Sequence, residues 1–161
     1  MAREEESRED LLREATALVV RVELAAEGFD EPIVAGFRRD GAASFFFGQQ
    51  TVYQFNAAAE LRRGFLDGQL YKAECGRLVQ LTRHRTPETV ELLRHELNEA
   101  ETAQFLAAAH DRLLKLELSL STHRFRVVGQ VPPQEDITGR VRDWLTKLPP
   151  RIPLASSPRL S

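Results

Sequence analysis

The densest patterning in the chain lies between Ile33 and Arg85, where short runs of alternating apolar and polar residues are interrupted by Asp40-Gly41 and Asp67-Gly68. Asp-Gly between such runs signals a hairpin, because both residues tolerate the positive φ of a two-residue type I′ turn. The first pair predicts strands over 33–39 and 42–50, with Phe37 facing Ser44, Gly36 facing Phe45 and Val34 facing Phe47. In that register the ring of Phe45 lies over the bare backbone of Gly36. A strand over 51–56 and a loop over 57–59 follow. The second pair predicts strands over 60–66 and 69–74, with Phe65 opposite Leu70, Gly64 opposite Tyr71, Arg63 opposite Lys72 and Leu61 opposite Glu74. If Cys75-Gly76 forms a further two-residue turn, Glu74 faces Arg77, Lys72 faces Val79 and Leu70 faces Leu81. Alternation then places Arg63, Phe65, Leu70, Lys72, Glu74, Arg77, Val79 and Leu81 on one face of the meander, and Arg62, Leu66, Tyr71, Ala73, Leu78 and Gln80 on the other.

The flanks read differently. A helix begins over 7–14, and Leu18, Val20, Val22 and Leu24 then alternate as a strand over 17–24, with a turn at 28–32. Thr86 as a cap and Pro87 at the first helical position predict a helix over 86–97 with an apolar stripe of Val90, Leu93 and Leu97. Asn98 and Glu101 form a capping-box pattern, at which a second helix starts or the first runs through. Phe105, Ala109, Leu113, Leu116 and Leu120 then keep helical spacing. Leu114, Leu116, Leu118 and Leu120 also alternate as a strand would, and the length of the segment and its alanine run decide for helix. A strand over 123–131 is stopped by Pro132-Pro133, and Ile137, Val141, Trp144 and Leu145 line one side of a helix over 136–148. Four of the eight prolines fall in 149–161, which reads as an extended tail.

These elements predict an α+β fold in one domain over 1–148: an antiparallel β-meander sheet of five to seven strands packed against helices, with Trp144, Leu145, Leu113, Leu116, Phe105, Phe46 and Leu81 in the core. Composition adds that the chain, 42% hydrophobic and 29% charged, is neither disordered nor collagen-like. The charged N-terminus, the lack of a long apolar run and the single cysteine point to a cytoplasmic protein without a membrane span. Charge is arranged in blocks. Residues 33–85 carry eight basic and four acidic groups, whereas 86–121 carry three and seven, so acidic helices are expected to cover a basic sheet.

Candidate chemistry centres on Arg63 opposite Lys72, since like charges directly across a sheet are unfavourable unless neutralised. Glu74 is placed to do so, either in a salt-bridge cluster with Arg77 or as the group that orients an anion-binding patch of Arg63, Lys72 and Arg77. Tyr53, Phe55 and Tyr71 are candidate stacking platforms for single-stranded nucleic acid. His95, Glu99 and His110 would share a face as metal ligands only on one continuous helix. Pro150-Arg151-Ile152-Pro153 has the spacing of a polyproline docking peptide. No nucleophile elbow, phosphate-binding loop or dinucleotide fingerprint is present, and Cys75 stands beside no histidine in sequence. The expectation is therefore a binding or assembly module without catalysis, metal or cofactor, acting through a protein partner or self-association. Nucleic-acid or phosphate-ligand binding at the basic sheet is the alternative, and a metal-dependent hydrolase a remote one.

Overall fold

At Asp67-Gly68 both residues hold positive φ, 52° and 83°, and the same is true of Cys75-Gly76 at 54° and 77°. These two I′ turns set three adjacent strands of the sheet in the predicted register: Phe65 faces Leu70, Arg63 faces Lys72, Glu74 faces Arg77 and Leu70 faces Leu81. The strands they join are β5 (Leu61–Leu66), β6 (Gln69–Glu74) and β7 (Arg77–Arg85). Around them a computed structural model describes residues 19–133 and 136–156, with β1 (Val20–Ala26), β2 (Ile33–Phe37), β3 (Ala43–Phe47), β4 (Thr51–Phe55), β8 (Val90–Glu96), helix α1 (Glu99–Ser121), β9 (Phe125–Val131) and helix α2 (Ile137–Leu145). The helix expected over 7–14 lies outside the described residues.

The nine strands of the described residues form one antiparallel sheet in the order β8-β7-β6-β5-β4-β3-β2-β1-β9. The α+β class and the meander stand as expected, with more strands than the sequence suggested. Eight strands follow one another in chain order, and α1 then carries the chain from the β8 edge across one face to the β9 edge.

The first hairpin departs from expectation by one residue: Phe37 faces Ala43, Gly36 faces Ser44 and Ala35 faces Phe45. Gly41 alone holds positive φ, at 93°, and the Asp40 carboxylate accepts from the Ala42 N–H at 3.0 Å. This is the three-residue loop that ends in a left-handed glycine, the other hairpin that Asp-Gly supports. The core selects it. In this register Ile33, Ala35 and Phe37 share the helix-covered face with Phe47, Phe45 and Ala43, and a small residue meets a large one at Ala35–Phe45 and Phe37–Ala43. A one-residue slip would turn one of the two sets away from the helices.

The second departure is 86–97, which is not a helix. Its cap-like signal is real but local: the Thr86 hydroxyl accepts from the Thr89 N–H at 3.0 Å and closes a turn. The segment beyond it becomes β8, because the open edge of β7 offers a ladder that Val90 to Glu96 fill in register, Val79 opposite Glu96 through Arg85 opposite Val90. The true helix start is Asn98, whose side chain accepts from the Glu101 N–H at 2.8 Å while the Glu101 carboxylate accepts from the Asn98 N–H. From there α1 runs unbroken through 114–120, with Phe105, Ala109, Leu113, Leu116 and Leu120 buried.

The main core lies between the sheet and these helices, and Phe105, Leu113, Leu116, Trp144 and Leu145 all belong to it. Phe46 and Leu81 are buried too, but with Val52, Leu70 and Val79 on the opposite face of the sheet. Gly64 fixes where α1 sits. A Cβ there would stand 2.9 Å from Phe105 Cζ and 3.3 Å from the Val52 carbonyl oxygen, so the missing side chain is the socket for the Phe105 ring. Gly64→Ala is expected to cost about 1–3 kcal/mol through overpacking. Pairing it with Phe105→Leu should recover part of that loss, which a double-mutant cycle by urea unfolding measures.

The described part of the tail, 149–156, is extended but packed. Leu61 does not face Glu74, since β5–β6 pairing stops at Arg63–Lys72. Its N–H instead donates to the Pro153 carbonyl at 2.8 Å, and its carbonyl accepts from the Ala155 N–H at 2.9 Å. Ile152 and Ala155 are thereby buried, so the proline-rich stretch that resembled a docking peptide is docked on its own domain.

Candidate functional site

Strand register sorts the predicted site residues onto two faces. Gln54, Arg63, Lys72, Val79 and Glu96 occupy successive partner positions on β4 to β8, and Glu74, Arg77 and Arg94 lie on the same face beside them. Two ion pairs knit this charged end together. Arg94 donates to Glu74, and Arg77 donates to Glu96. The expected Glu74–Arg77 cluster is thus shared out to β8, whose residues the helical reading of 86–97 does not offer as partners. The patch that remains contains four cations, Arg63, Lys72, Arg77 and Arg94, against the carboxylates of Glu74 and Glu96. Arg77 and Glu96 are exposed, so their pair contributes little to stability.

The tyrosines lie on the other face. Tyr53, Gly64, Tyr71, Gln80 and His95 are successive partners across β4 to β8, and α1 lies over them. Glu101, Phe105 and Arg112, on one side of α1, meet this row in turn. Glu101 lies 3.2 Å from His95 Nε2, the Phe105 ring packs 4.6 Å from Tyr71 and 6.0 Å from Tyr53, and Arg112 donates to the Tyr53 hydroxyl at 3.1 Å. Tyr53 and Phe55 are fully buried, so neither presents a stacking platform, and Tyr71 is turned toward Phe105. The predicted platforms Tyr53, Phe55 and Tyr71 are therefore not brought together with Arg63, Lys72 and Arg77 on one surface.

Burial pushes the Tyr53 phenol above its ordinary value, against the pull of the neighbouring Arg112. A phenol whose folded pKa is raised contributes stability that is whole below the unfolded value, about 10, and is lost as pH rises through the folded one. Tyr53→Phe is expected to flatten the loss of stability above that pH, at the cost of the Arg112 hydrogen bond at neutral pH. Denaturant titrations at pH 8 to 11 check both. Glu101 is held below the usual carboxylate range, first by the Asn98 N–H and then by His95.

His95, Glu99 and His110 do not converge, because His95 belongs to β8 and the other two to α1. Among the described residues no three His, Cys, Asp or Glu side chains are grouped as a metal ion would require. Cys75 is exposed at the β6–β7 turn. Two grooves flank α1. One of about 880 Å³ runs between its N-terminal turns and the docked tail, with Arg77, Glu96 and Arg151 among its walls. The other, about 540 Å³, is floored by Phe29 and Phe47, whose rings stack at 5.5 Å, with Lys115 above Phe29.

The remaining surface feature is apolar. The exposed large hydrophobics among the described residues are Val19, Val90, Leu93, Leu114, Leu118, Val127, Val128 and Val131. Five of these eight lie on β8 and β9, the two edges of the sheet. Sequence reasoning missed this concentration, because no local signal says which strands end a sheet. No described helix is long and apolar enough to cross a membrane. Comparison with known proteins gives no match: no family model, curated protein or solved structure is similar to this chain.

Proposed function

We propose that this protein is a binding or assembly module without catalytic activity, and that it engages protein through the open edges of its sheet. The observation that carries this reading is the placement of most exposed large hydrophobics on β8 and β9. An edge strand presents unpaired N–H and C=O groups, and natural sheets normally blunt such edges with charge, proline or a bulge. Apolar side chains left on an edge serve strand addition, in which the backbone supplies affinity and the side chains supply selectivity. Nucleic-acid binding has less support, because Tyr53, Phe55 and Tyr71 lie on the face opposite Arg63, Lys72 and Arg77.

Native mass spectrometry of the untagged protein is the test. An oligomer, or a defined complex with another protein, is the expected result, and lysine at Val90 or Val128 should weaken it. A monomer that carries an oligonucleotide or nucleotide adduct and no protein partner would overturn the reading.

A further inference from the structure

The two edges are not equivalent. The β1–β9 register shifts between Glu23 and Leu24, so β9 is bulged and its outer groups do not form a regular ladder. β8 pairs with β7 in seven unbroken steps, contains no proline and is exposed along nearly its whole length. The parity of its hydrogen bonds is set at both ends, by Leu97 N–H to the Leu78 carbonyl and by Thr86 N–H to the Thr89 carbonyl. Odd-numbered residues of β8 therefore turn their backbone groups toward β7, and Val90, Leu92, Arg94 and Glu96 turn theirs outward.

We infer that a second copy of this chain completes the edge, β8 against β8, antiparallel about a two-fold axis through Leu93. This deepens the assembly reading above and rests on it. The register follows from the sequence of the strand. About Leu93, all of Val90 to Glu96 is paired, and every outward N–H and C=O finds a partner. Glu91 of each copy meets His95 of the other, Leu93 meets Leu93, and Leu92 meets the aliphatic stem of Arg94. The Glu91, Leu93 and His95 pairs are the non-hydrogen-bonded ones, whose side chains approach most closely. The neighbouring registers are worse. An axis through Arg94 sets two guanidinium groups opposite each other, and one through Leu92 brings Glu96 against Glu88 while shortening the ladder. A two-fold interface of this kind is self-complementary and closed, which accounts for a regular edge with neither proline nor bulge. The joined sheets would form one continuous layer of eighteen strands, twice the nine in each copy.

Charge exchange at the axis tests the pairing. Leu93→Glu and Leu93→Arg each place like charges against themselves and should weaken the dimer about a hundredfold. Leu93 is half-exposed, so neither change disturbs the core. An equimolar mixture of the two variants should restore a dimer containing one copy of each, as measured by native mass spectrometry and sedimentation velocity. Restoration in the mixture is a result that misfolding cannot imitate. A dimer that survives Leu93→Glu overturns β8 pairing and leaves the assembly reading standing through another surface. A wild type that stays monomeric at high micromolar concentration also overturns β8 pairing. The assembly reading itself fails only if no complex with another protein is found either.

Discussion

Trp144→Ala is expected to destabilise the protein by about 3–5 kcal/mol, the largest effect of any single truncation considered. Trp144 is the only tryptophan, and α2 delivers its ring into a nest of Phe37, Phe45 and Phe55 at centroid distances of 6.4, 5.4 and 5.4 Å. Its indole N–H donates to the Gly41 carbonyl at 3.2 Å and ties α2 to the β2–β3 loop. Alanine leaves three rings facing a cavity too large to close by side-chain adjustment alone. Phenylalanine keeps most of the apolar contact and loses the indole donor, so Trp144→Phe should cost only about 1–2 kcal/mol. Urea unfolding followed by circular dichroism measures both, since fluorescence loses its reporter in each variant. An alanine variant within about 0.5 kcal/mol of wild type, the range of ordinary surface changes, would mean that α2 does not seal this end of the core.

The second large effect lies in the tail. Ile152→Ala should cost about 2–4 kcal/mol, because the side chain is buried and its segment is fastened to Leu61 by two backbone hydrogen bonds. The exposed neighbour Arg151 is the internal control, and Arg151→Ala should stay within about 0.5 kcal/mol of wild type. Equal stability of the two variants would show the tail to be a loose appendage. The contrast matters because Leu61 lies in the interior of the sheet. With the tail removed, its N–H and C=O would face the gap left where β5 and β6 part.

What the sequence reveals of this fold depends on how local each determinant is. Asp67-Gly68 and Cys75-Gly76 carry their conformation in two residues, and three strands fall into register from them. Asp40-Gly41 does not, since the same dipeptide closes a two- or a three-residue loop, and the choice is made by Phe37, Phe45 and Trp144 packing far apart in sequence. Residues 86–97 mislead for a related reason. Thr86 and Pro87 make an N-terminal signal that serves a turn as well as a helix, and the free edge of β7 that recruits Val90 to Glu96 is visible only once the sheet exists. Asn98 and Glu101 form a reciprocal, short-range pair, and the helix start they mark is found where the pattern puts it.

The candidate site divides in the same way. Arg63 opposite Lys72 follows from the second turn, and the alternation that joins them also sends Tyr71 to the other face. The partners of Glu74 and Arg77 are not legible in the sequence, because the local signal over 86–97 puts Arg94 and Glu96 on a helix. The apolar edge at β8 is hidden for the same reason. Val90 and Leu93 read as the buried stripe of a helix, whereas in the sheet they are exposed at its rim.

The most direct test of edge-mediated assembly is residue-resolved amide exchange across β8 at increasing protein concentration. In dilute solution, the amides of Glu91, Leu93 and His95 should be protected by β7 and those of Val90, Leu92, Arg94 and Glu96 should exchange freely. The account predicts that the second set becomes protected as concentration rises, and that Leu93→Glu abolishes the change. Outward amides that exchange freely at every concentration while the protein self-associates would contradict it.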